Sequence, residues 1–255
     1  ECYYKVAGSL SKACFTYSKK GLVAQLMRGV GNDKLIALGT AIDEKEVIAE
    51  KNKRSESDVE KFKLDNLLVG KKVVLQVVRL STIKKPELLI LAAKEVVSKD
   101  NNIIFVLIGG GDLESKLKEQ VAMLGLTGNV LFLGPIYDEK LLSFWFLSSD
   151  VFVIPSCIGL SAHHAMCYGL PIITDNDYFQ QASEFEILFD GLNASLYQAN
   201  DPSSLAEKIS TLLVNDKMRK FIARNAFYTV TEISNLDSKV LNLLDALVHR
   251  SDKLN

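Results

Sequence analysis

The stretch "KVVLQVVRLSTIKKPELLILAAKEVVSKDNNIIFVLIGGG" (72–111) contains one complete strand–helix–strand pattern. Its apolar segments 73–78 and 102–108 are short and rich in β-branched residues, which is typical of strands buried on both faces. Between them, 86–99 has apolar residues at helical spacing and begins with Pro86, a favoured residue in a first helical turn. Apolar strands joined by a helix predict parallel pairing.

The same alternation of strands and helices continues to residue 216. It predicts further strands over 130–134, 151–155, 171–174 and 194–198, and helices over 112–125, 138–149, 160–168 and 202–214. This order indicates an α/β fold in which a doubly wound, Rossmann-like parallel sheet occupies 71–216. Two C-terminal helices are predicted beyond it, over 217–230 and 233–250.

The first 70 residues do not contain a complete unit of this kind. Short strands are predicted over 13–17 and 34–38, and the charged segment 44–65 is mostly compatible with a helix that has a solvated face. Two strands and two helices cannot easily enclose a core alone. This region is therefore either an appendage of the main domain or the end of a second domain.

Composition argues against several classes of function. The formal net charge is −1, whereas nucleic-acid-binding domains normally have a basic excess, so no nucleic-acid partner is expected. No apolar run reaches the length of about 18 residues that a membrane-spanning helix needs. The segment "ECYYKVAGSL" (1–10) has no basic region before an apolar core, which argues against a signal peptide. We therefore expect a cytoplasmic protein.

Cysteine and histidine spacing predicts neither a disulfide nor a metal site. The four cysteines lack CxxC spacing and are expected to be reduced thiols: Cys2, Cys14, Cys157 and Cys167. His163 and His164 are adjacent, and side chains at adjacent helical positions do not converge on one ion. No metal is predicted, and His163 is expected to be structural.

The loops that follow successive strands meet at one edge of a parallel sheet, where α/β proteins bind ligands. Arg79 and Lys84 lie in the first of these loops, and three glycines that allow close backbone approach lie in the second, 109–111. Gly159 stands at the entry to a helix, whose free N–H groups bind anions. Together these features predict a phosphate or diphosphate site, although each of them alone is also common in surface loops.

Two common nucleotide motifs are missing from these loops. No loop has the P-loop pattern GxxxxGK[ST], and the first strand is not followed by a full GxGxxG pattern. Their absence argues against an NTPase and against a standard dinucleotide enzyme. No acidic cluster suited to Mg²⁺ accompanies the cations, so Arg79 and Lys84 would neutralise the bound phosphates themselves.

Six segments resemble patterns of the family-4 retaining glycosyltransferases, which have the two-domain GT-B fold. One resembles the end of the family's N-terminal domain, and five resemble its C-terminal, donor-binding domain: "LIALGTAID" (35–43), "VRLSTIKKPELL" (78–89), "FVLIGGGDLESKL" (105–117), "NVLFLGPI" (129–136), "DVFVIPS" (150–156) and "HAMCYGLPIIT" (164–174). The resemblance extends over 13–214.

The resemblance implies a division of the chain into three parts. Residues 1–70 would be the remnant of an N-terminal acceptor domain whose beginning is missing. Residues 71–216 would be the nucleotide-sugar-binding domain. Residues 217–255 would be helices that pack back toward the N-terminal part.

The resemblance also implies roles for individual residues. Arg79 and Lys84 match the cations that hold the donor diphosphate, and with His164 they are predicted to be catalytic. Further contacts with the nucleotide sugar are predicted for a larger set: Gly109, Gly110, Gly134, Ile136, Ser156, Gly159, Leu160, Ser161 and Glu186.

Two positions depart from the family pattern. Ser156 and His164 stand where the family has two glutamates, one that contacts the transferred sugar and one that binds the ribose. A subgroup of the family is similar to this chain, with a histidine in the helix and "Q-x-P-E-F-E" after it. The segment "QQASEFE" (180–186) resembles that second pattern, so the histidine is interpreted as a subgroup feature. Glu184 or Glu186 would then supply a carboxylate near the site.

The resemblance implies a hexosyltransferase of polysaccharide biosynthesis that acts with retention and without a metal or other cofactor. Its partners would be a nucleoside-diphosphate sugar, a glycan or lipid-linked acceptor, and the missing N-terminal domain. That domain would carry acceptor contacts and any peripheral association with the inner face of the membrane, so this chain alone is expected to be inactive. Two alternatives remain: a catalytically inactive nucleotide-binding module, and an enzyme similar to the nucleotide-sugar 2-epimerases.

Overall fold

A computed structural model describes residues 10–251 of the chain. The smaller of its two sheets pairs β1 (Cys14–Thr16) with β2 (Leu35–Ala37) in parallel, and α1 (Lys19–Met27) connects the two strands. Both predicted short strands are therefore present. Cys2 and most of the segment that argued against a signal peptide lie outside the described residues, as do the last four residues assigned to the C-terminal part.

Two helices, α2 (Glu44–Asn52) and α3 (Glu56–Asp65), replace the single charged segment expected after β2. The break has a local cause, because the Ser55 hydroxyl accepts from the backbone N–H of Asp58 while the Asp58 carboxylate accepts from that of Ser55. Glu44 and Val47 of α2 are buried, and Val47 belongs to an apolar cluster that also contains Phe146 and Met166. Only part of this charged segment is therefore a solvated face.

The larger sheet has six parallel strands in the order β5-β4-β3-β6-β7-β8. In chain order they are β3 (Lys72–Val77), β4 (Ile103–Ile108), β5 (Val130–Gly134), β6 (Val151–Val153), β7 (Ile172–Asp175) and β8 (Ala194–Tyr197). The predicted α/β fold with a doubly wound, Rossmann-like parallel sheet is confirmed.

Helices cover both faces of this sheet. They are α4 (Pro86–Lys99), α5 (Glu114–Met123), α6 (Glu139–Leu147), α7 (Ser161–Tyr168), α8 (Pro202–Val214) and α9 (Asp216–Tyr228). A last helix, α10 (Leu236–Ser251), follows them and contacts α2. A π-helical turn, Thr229–Ile233, separates the last two. In the part of the chain that the structure describes, no helix is both long and apolar enough to cross a membrane.

Two apolar clusters lie on opposite faces of the sheet, because side chains alternate along each strand. On one face, α4, α5 and α8 contribute Leu89, Leu117 and Leu205. On the other face, α6 and α7 contribute Phe146 and Met166, and α2 packs over them. Burial on both faces explains why the strands are apolar throughout.

The loops after β3 and β4 come into close backbone contact, and the glycines after β4 permit it. A Cβ atom on Gly109 would lie 2.0 Å from the carbonyl oxygen of Val78, and one on Gly111 would lie 2.2 Å from that of Leu80. Gly109 also has a φ of +135°, which favours glycine. A Cβ on Gly110 would make only ordinary contacts, the nearest at 3.6 Å with Pro135. At least two of the three glycines therefore have a structural reason.

Gly109→Ala is expected to lower the free energy of unfolding by about 2–4 kcal/mol, because it combines a backbone clash with an unfavourable φ. Gly110→Ala is the matched control and should change the free energy by less than about 1 kcal/mol. Urea denaturation measures both. Equal stabilities of the two variants would contradict this account of the loop.

His163 lies in α7 with only 1% of its surface exposed. Burial lowers its pKa to about 4, and the nearby charge of Lys239 adds to this shift, which the backbone of Thr40 partly opposes. The ring is therefore neutral in the folded protein near neutral pH. It packs as part of the core, as expected for a structural residue.

Because the His163 pKa is lower in the folded state, the unfolded state binds more protons between the two pKa values. The stabilising effect of the neutral ring is complete above pH 6.5 and is lost as the pH falls toward 4. We expect His163 to account for about 2–3 kcal/mol of the stability lost between pH 7.5 and 4.5. Urea denaturation across this range should show a smaller loss in His163→Gln than in the control His164→Gln. Equal losses would contradict the prediction.

Candidate functional site

A cavity of about 490 Å³ opens at the carboxyl ends of β3, β4 and β5. It is lined by Val77, Val78, Arg79, Ile108, Gly109, Gly110, Gly111, Pro135, Ile136 and Tyr137. The predicted residues Gly109, Gly110 and Ile136 thus share one cavity with Arg79. Gly134 is the last residue of β5 and directly precedes the loop that contains Ile136. Its carbonyl accepts a hydrogen bond of 2.9 Å from the Gly109 N–H.

Arg79 is the charged residue of this cavity. Its side chain is exposed, and among residues 10–251 its guanidinium has no hydrogen-bond or ion-pair partner. A guanidinium presents five N–H donors in a plane that matches phosphate and carboxylate oxygens. Arg79 is therefore available to bind an anionic group in the cavity.

Lys84 lies in the loop that follows β3, as Arg79 does, and it contacts the loop that follows β6. This β6–α7 loop comprises residues 154–160. The Lys84 ammonium donates a hydrogen bond to the carbonyl of Cys157, and a Cβ atom on Gly159 would lie 3.6 Å from its Nζ atom. The structure thus brings Lys84 and Gly159 together, because β3 and β6 are neighbours in the sheet.

The β6–α7 loop leads into α7 without a side-chain cap. The backbone N–H of Ala162 donates to the Gly159 carbonyl at 2.8 Å, whereas Gly159, Leu160 and Ser161 donate their own N–H groups to no residue within the described part of the chain. Free N–H groups at a helix N-terminus carry partial positive charge. Together with the Lys84 ammonium, they form a surface that attracts anions.

Ser156 and His164, the positions that lack the family carboxylates, lie apart from the Arg79 cavity. Ser156 is fully buried, and its hydroxyl has no hydrogen-bond partner among residues 10–251. His164 lines a second cavity of about 560 Å³, between α2, α6 and α7, and its Nε2 lies 3.9 Å from Oε2 of Glu139. The imidazole also stacks on Phe146, at 6.3 Å between ring centroids.

Glu186 contacts α1. Its Oε1 accepts from the backbone N–H groups of Lys19 at 2.8 Å and Lys20 at 3.3 Å, and from the Tyr178 hydroxyl at 3.2 Å. This carboxylate is therefore placed at the N-terminus of α1, where the helix dipole favours a negative charge. The other candidate carboxylate, Glu184, is buried and accepts from the hydroxyl of Ser183.

Sequence reasoning did not single out Gln181, which supports the β6–α7 loop. This buried side chain accepts a hydrogen bond of 2.7 Å from the backbone N–H of Ile158. Gln181 stands at the glutamine of the pattern "Q-x-P-E-F-E" that 180–186 resembles, and this match is the signal that the sequence offers. The match does not indicate burial or the contact with Ile158, so it does not reveal the supporting role.

The site is cationic and offers backbone donors. The edge formed by the carboxyl ends of the strands holds Arg79, Lys84 and the N-terminus of α7. Arg79 lines the cavity at the ends of β3, β4 and β5, whereas Lys84 contacts the loop that follows β6. Within residues 10–251, no group of three or more His, Cys, Asp or Glu side chains is arranged to hold a metal ion. Chemically, this arrangement suits an anion with several oxygens, such as a diphosphate.

Two solved structures illustrate the similarity of fold. Anabaena Alr3699/HepE in complex with UDP superposes with a TM-score of 0.83 at 20% identity, over 96% of this chain and 66% of that one. A glycosyltransferase from Rickettsia africae superposes with a TM-score of 0.81 at 17% identity, over 98% of this chain and 67% of the other. These similarities show the fold.

Curated relatives are similar over a shorter part of the chain. The spore coat protein SA of Bacillus subtilis is 30% identical over 170 residues, which are 62% of this chain and 43% of that protein. The 2-deoxystreptamine N-acetyl-D-glucosaminyltransferase of Niallia circulans is 28% identical over 159 residues, which are 61% of this chain and 40% of the enzyme. This chain therefore matches less than half the length of either relative.

A family model described as "Glycosyl transferases group 1" matches residues 58–228, which is well over half of the chain. The matched region runs from α3 to the end of α9 and contains Arg79, Lys84 and the whole β6–α7 loop. Fold, matched region and curated relatives agree. The chain belongs to the group 1 glycosyltransferases.

Proposed function

We propose that this chain is the donor-binding part of a retaining, metal-independent hexosyltransferase. The donor is a nucleoside diphosphate sugar, and the acceptor is a glycan or a lipid-linked glycan. The observation that carries this proposal is the contact of Lys84 with the β6–α7 loop, beside the cavity that contains the unpaired Arg79. Complexes of Anabaena Alr3699/HepE with UDP and with UDP-glucose support UDP as the nucleotide.

The cations act on the leaving group in this proposal. When the bond between the sugar's anomeric carbon and the diphosphate oxygen breaks, negative charge develops on the diphosphate. The acceptor hydroxyl oxygen forms the new bond to the anomeric carbon, and its proton passes to the departing diphosphate oxygen. Arg79, Lys84 and the N–H groups at the start of α7 stabilise that charge without reorganising. The acceptor contacts belong to the remainder of a longer protein, which acts in the cytoplasm or at the inner face of the membrane.

The second candidate is a nucleotide-binding module without catalysis. It is favoured by Ser156 and His164, which stand at the two glutamate positions of the resemblance and have no carboxylate. Ser156 is also buried, and His164 lines a separate cavity, so neither side chain reaches the Arg79 cavity. Transfer of sugar from UDP-glucose by the longer protein would exclude this candidate. Binding of UDP without transfer to any acceptor would favour it.

Lys84→Met should raise the dissociation constant for UDP at least about tenfold, because a hydrogen bond to a charged group is worth about 1.5–3 kcal/mol. Lys85→Met is the matched control, since it removes the same charge from a lysine whose Nζ donates to Asn200 at 2.7 Å instead. Isothermal titration at one fixed salt concentration measures both. Equal affinities of the two variants would show that the diphosphate does not bind beside Lys84.

Chelation of divalent ions should leave UDP binding unchanged within about twofold, because the two cations and the helix N-terminus neutralise the diphosphate directly. The measurement is a titration of UDP in EDTA and, separately, in excess Mg²⁺ or Mn²⁺. A gain in affinity of about tenfold or more with either metal would contradict metal independence, since each factor of ten is about 1.4 kcal/mol.

A further inference from the structure

Gln181 joins the end of β7 to the β6–α7 loop through a fully buried amide. Its Nε2 lies 2.9 Å from the Thr174 hydroxyl and 2.8 Å from Oδ1 of Asp175, and also 3.0 Å from the Asp175 carbonyl. Its Oε1 accepts the Ile158 N–H at 2.7 Å. Both polar atoms of the side-chain amide thus form hydrogen bonds, and these bonds define the position of the side chain.

The loop that Gln181 supports has a backbone that needs support. Cys157 has a φ of +50°, an uncommon conformation for a residue with a side chain. Its carbonyl accepts from Lys84, and the next residue, Ile158, is fully buried. Without Gln181, the Ile158 N–H would be buried without an acceptor, which is unfavourable. The side chain therefore determines where the free N–H groups of Gly159, Leu160 and Ser161 point.

The backbone of Gln181 is held from the other side by α1. The Lys20 ammonium donates to the carbonyls of Gln181 at 2.7 Å and Phe179 at 3.1 Å. Five residues further on, Glu186 accepts from the first N–H groups of α1. The segment 179–186 is thus attached to α1 at two points, and Gln181 belongs to the first of them.

These contacts form one connected path of hydrogen bonds and the covalent segments between them. It runs from Lys20 to the Gln181 carbonyl, through the Gln181 side chain to the Ile158 N–H, and along the β6–α7 loop to the carbonyl that holds Lys84. Lys20 of α1 is therefore connected to the anion-binding edge of the larger sheet through Gln181.

We propose that Gln181 is a positioning residue for the donor site and that docking of α1 controls it through Lys20. As far as the ligand is concerned, this inference rests on the proposed function. When α1 is docked, Gln181 holds the β6–α7 loop in the conformation that presents its N–H groups to a diphosphate. When α1 moves away, the loop loses that support and its affinity for the nucleotide falls.

The test compares Gln181→Met, Lys20→Met and the control Gln180→Met, whose side chain is exposed. Methionine keeps the length of each side chain and removes its polar group. Hydrogen exchange followed by NMR reports on the Ile158 amide, and isothermal titration with UDP reports on the site. We expect exchange about tenfold faster in Gln181→Met and about threefold faster in Lys20→Met, with UDP affinity reduced in the same order.

The proposal is supported only if the acceleration is confined to Ile158 and its neighbours, while amides of the central strands exchange as in the unchanged protein. An unchanged Ile158 exchange rate in folded Gln181→Met overturns it. If Gln181→Met does not fold, the Ile158 exchange rate in Lys20→Met tests the proposal instead. An unchanged rate in Lys20→Met overturns the claim that docking of α1 acts on the loop through Lys20. If the unchanged protein binds no UDP, the proposed function fails, whereas the exchange rates still support or overturn the role of Gln181.

Discussion

Strand β3 pairs with β4 on one side and with β6 on the other, and the rest of the molecule depends on this central pairing. The chain leaves β3 for a helix on one face and leaves β6 for a helix on the other face. The loops after these two strands therefore diverge and leave a crevice between them. Lys84 and the β6–α7 loop meet across that crevice, so the site follows from strand order rather than from any local motif.

In the proposed function, the site binds the diphosphate through cations and backbone donors, so this contact does not need a carboxylate at Ser156 or His164. In the resemblance, the two missing glutamates contact the sugar and the ribose, whereas Arg79 and Lys84 contact the diphosphate. Replacing the glutamates removes hydrogen-bond acceptors for hydroxyl groups and makes the site more positive. The attraction for a diphosphate is therefore retained or increased. In the proposed function, groups other than these two residues would then recognise the sugar.

Local patterns predicted the strands and helices well because burial on both faces leaves a continuous apolar signal. The helix over 86–99 and the strand over 130–134 agree with the structure at both ends. The same patterns placed Arg79, Lys84 and Gly159 at one edge, since the direction of a parallel strand determines where its following loop lies. They could not predict Gln181 or the surroundings of His164, because these depend on contacts between segments far apart in sequence, such as α2 against α7.

Glu186 shows how a contact between segments far apart in sequence can give a side chain a role that the local sequence does not predict. A carboxylate has about four acceptor positions. Oε1 of Glu186 already accepts from Lys19, Lys20 and Tyr178, and Oε2 lies 3.1 Å from the N–H of Lys19. In the proposed function, a hydroxyl group of the sugar would have to bind to Oε2, so the contact with α1 and the contact with the sugar would compete for one carboxylate. In the structure, Glu186 accepts from the first N–H groups of α1, whose Lys20 holds the Gln181 carbonyl, and in this way it supports the β6–α7 loop through Gln181.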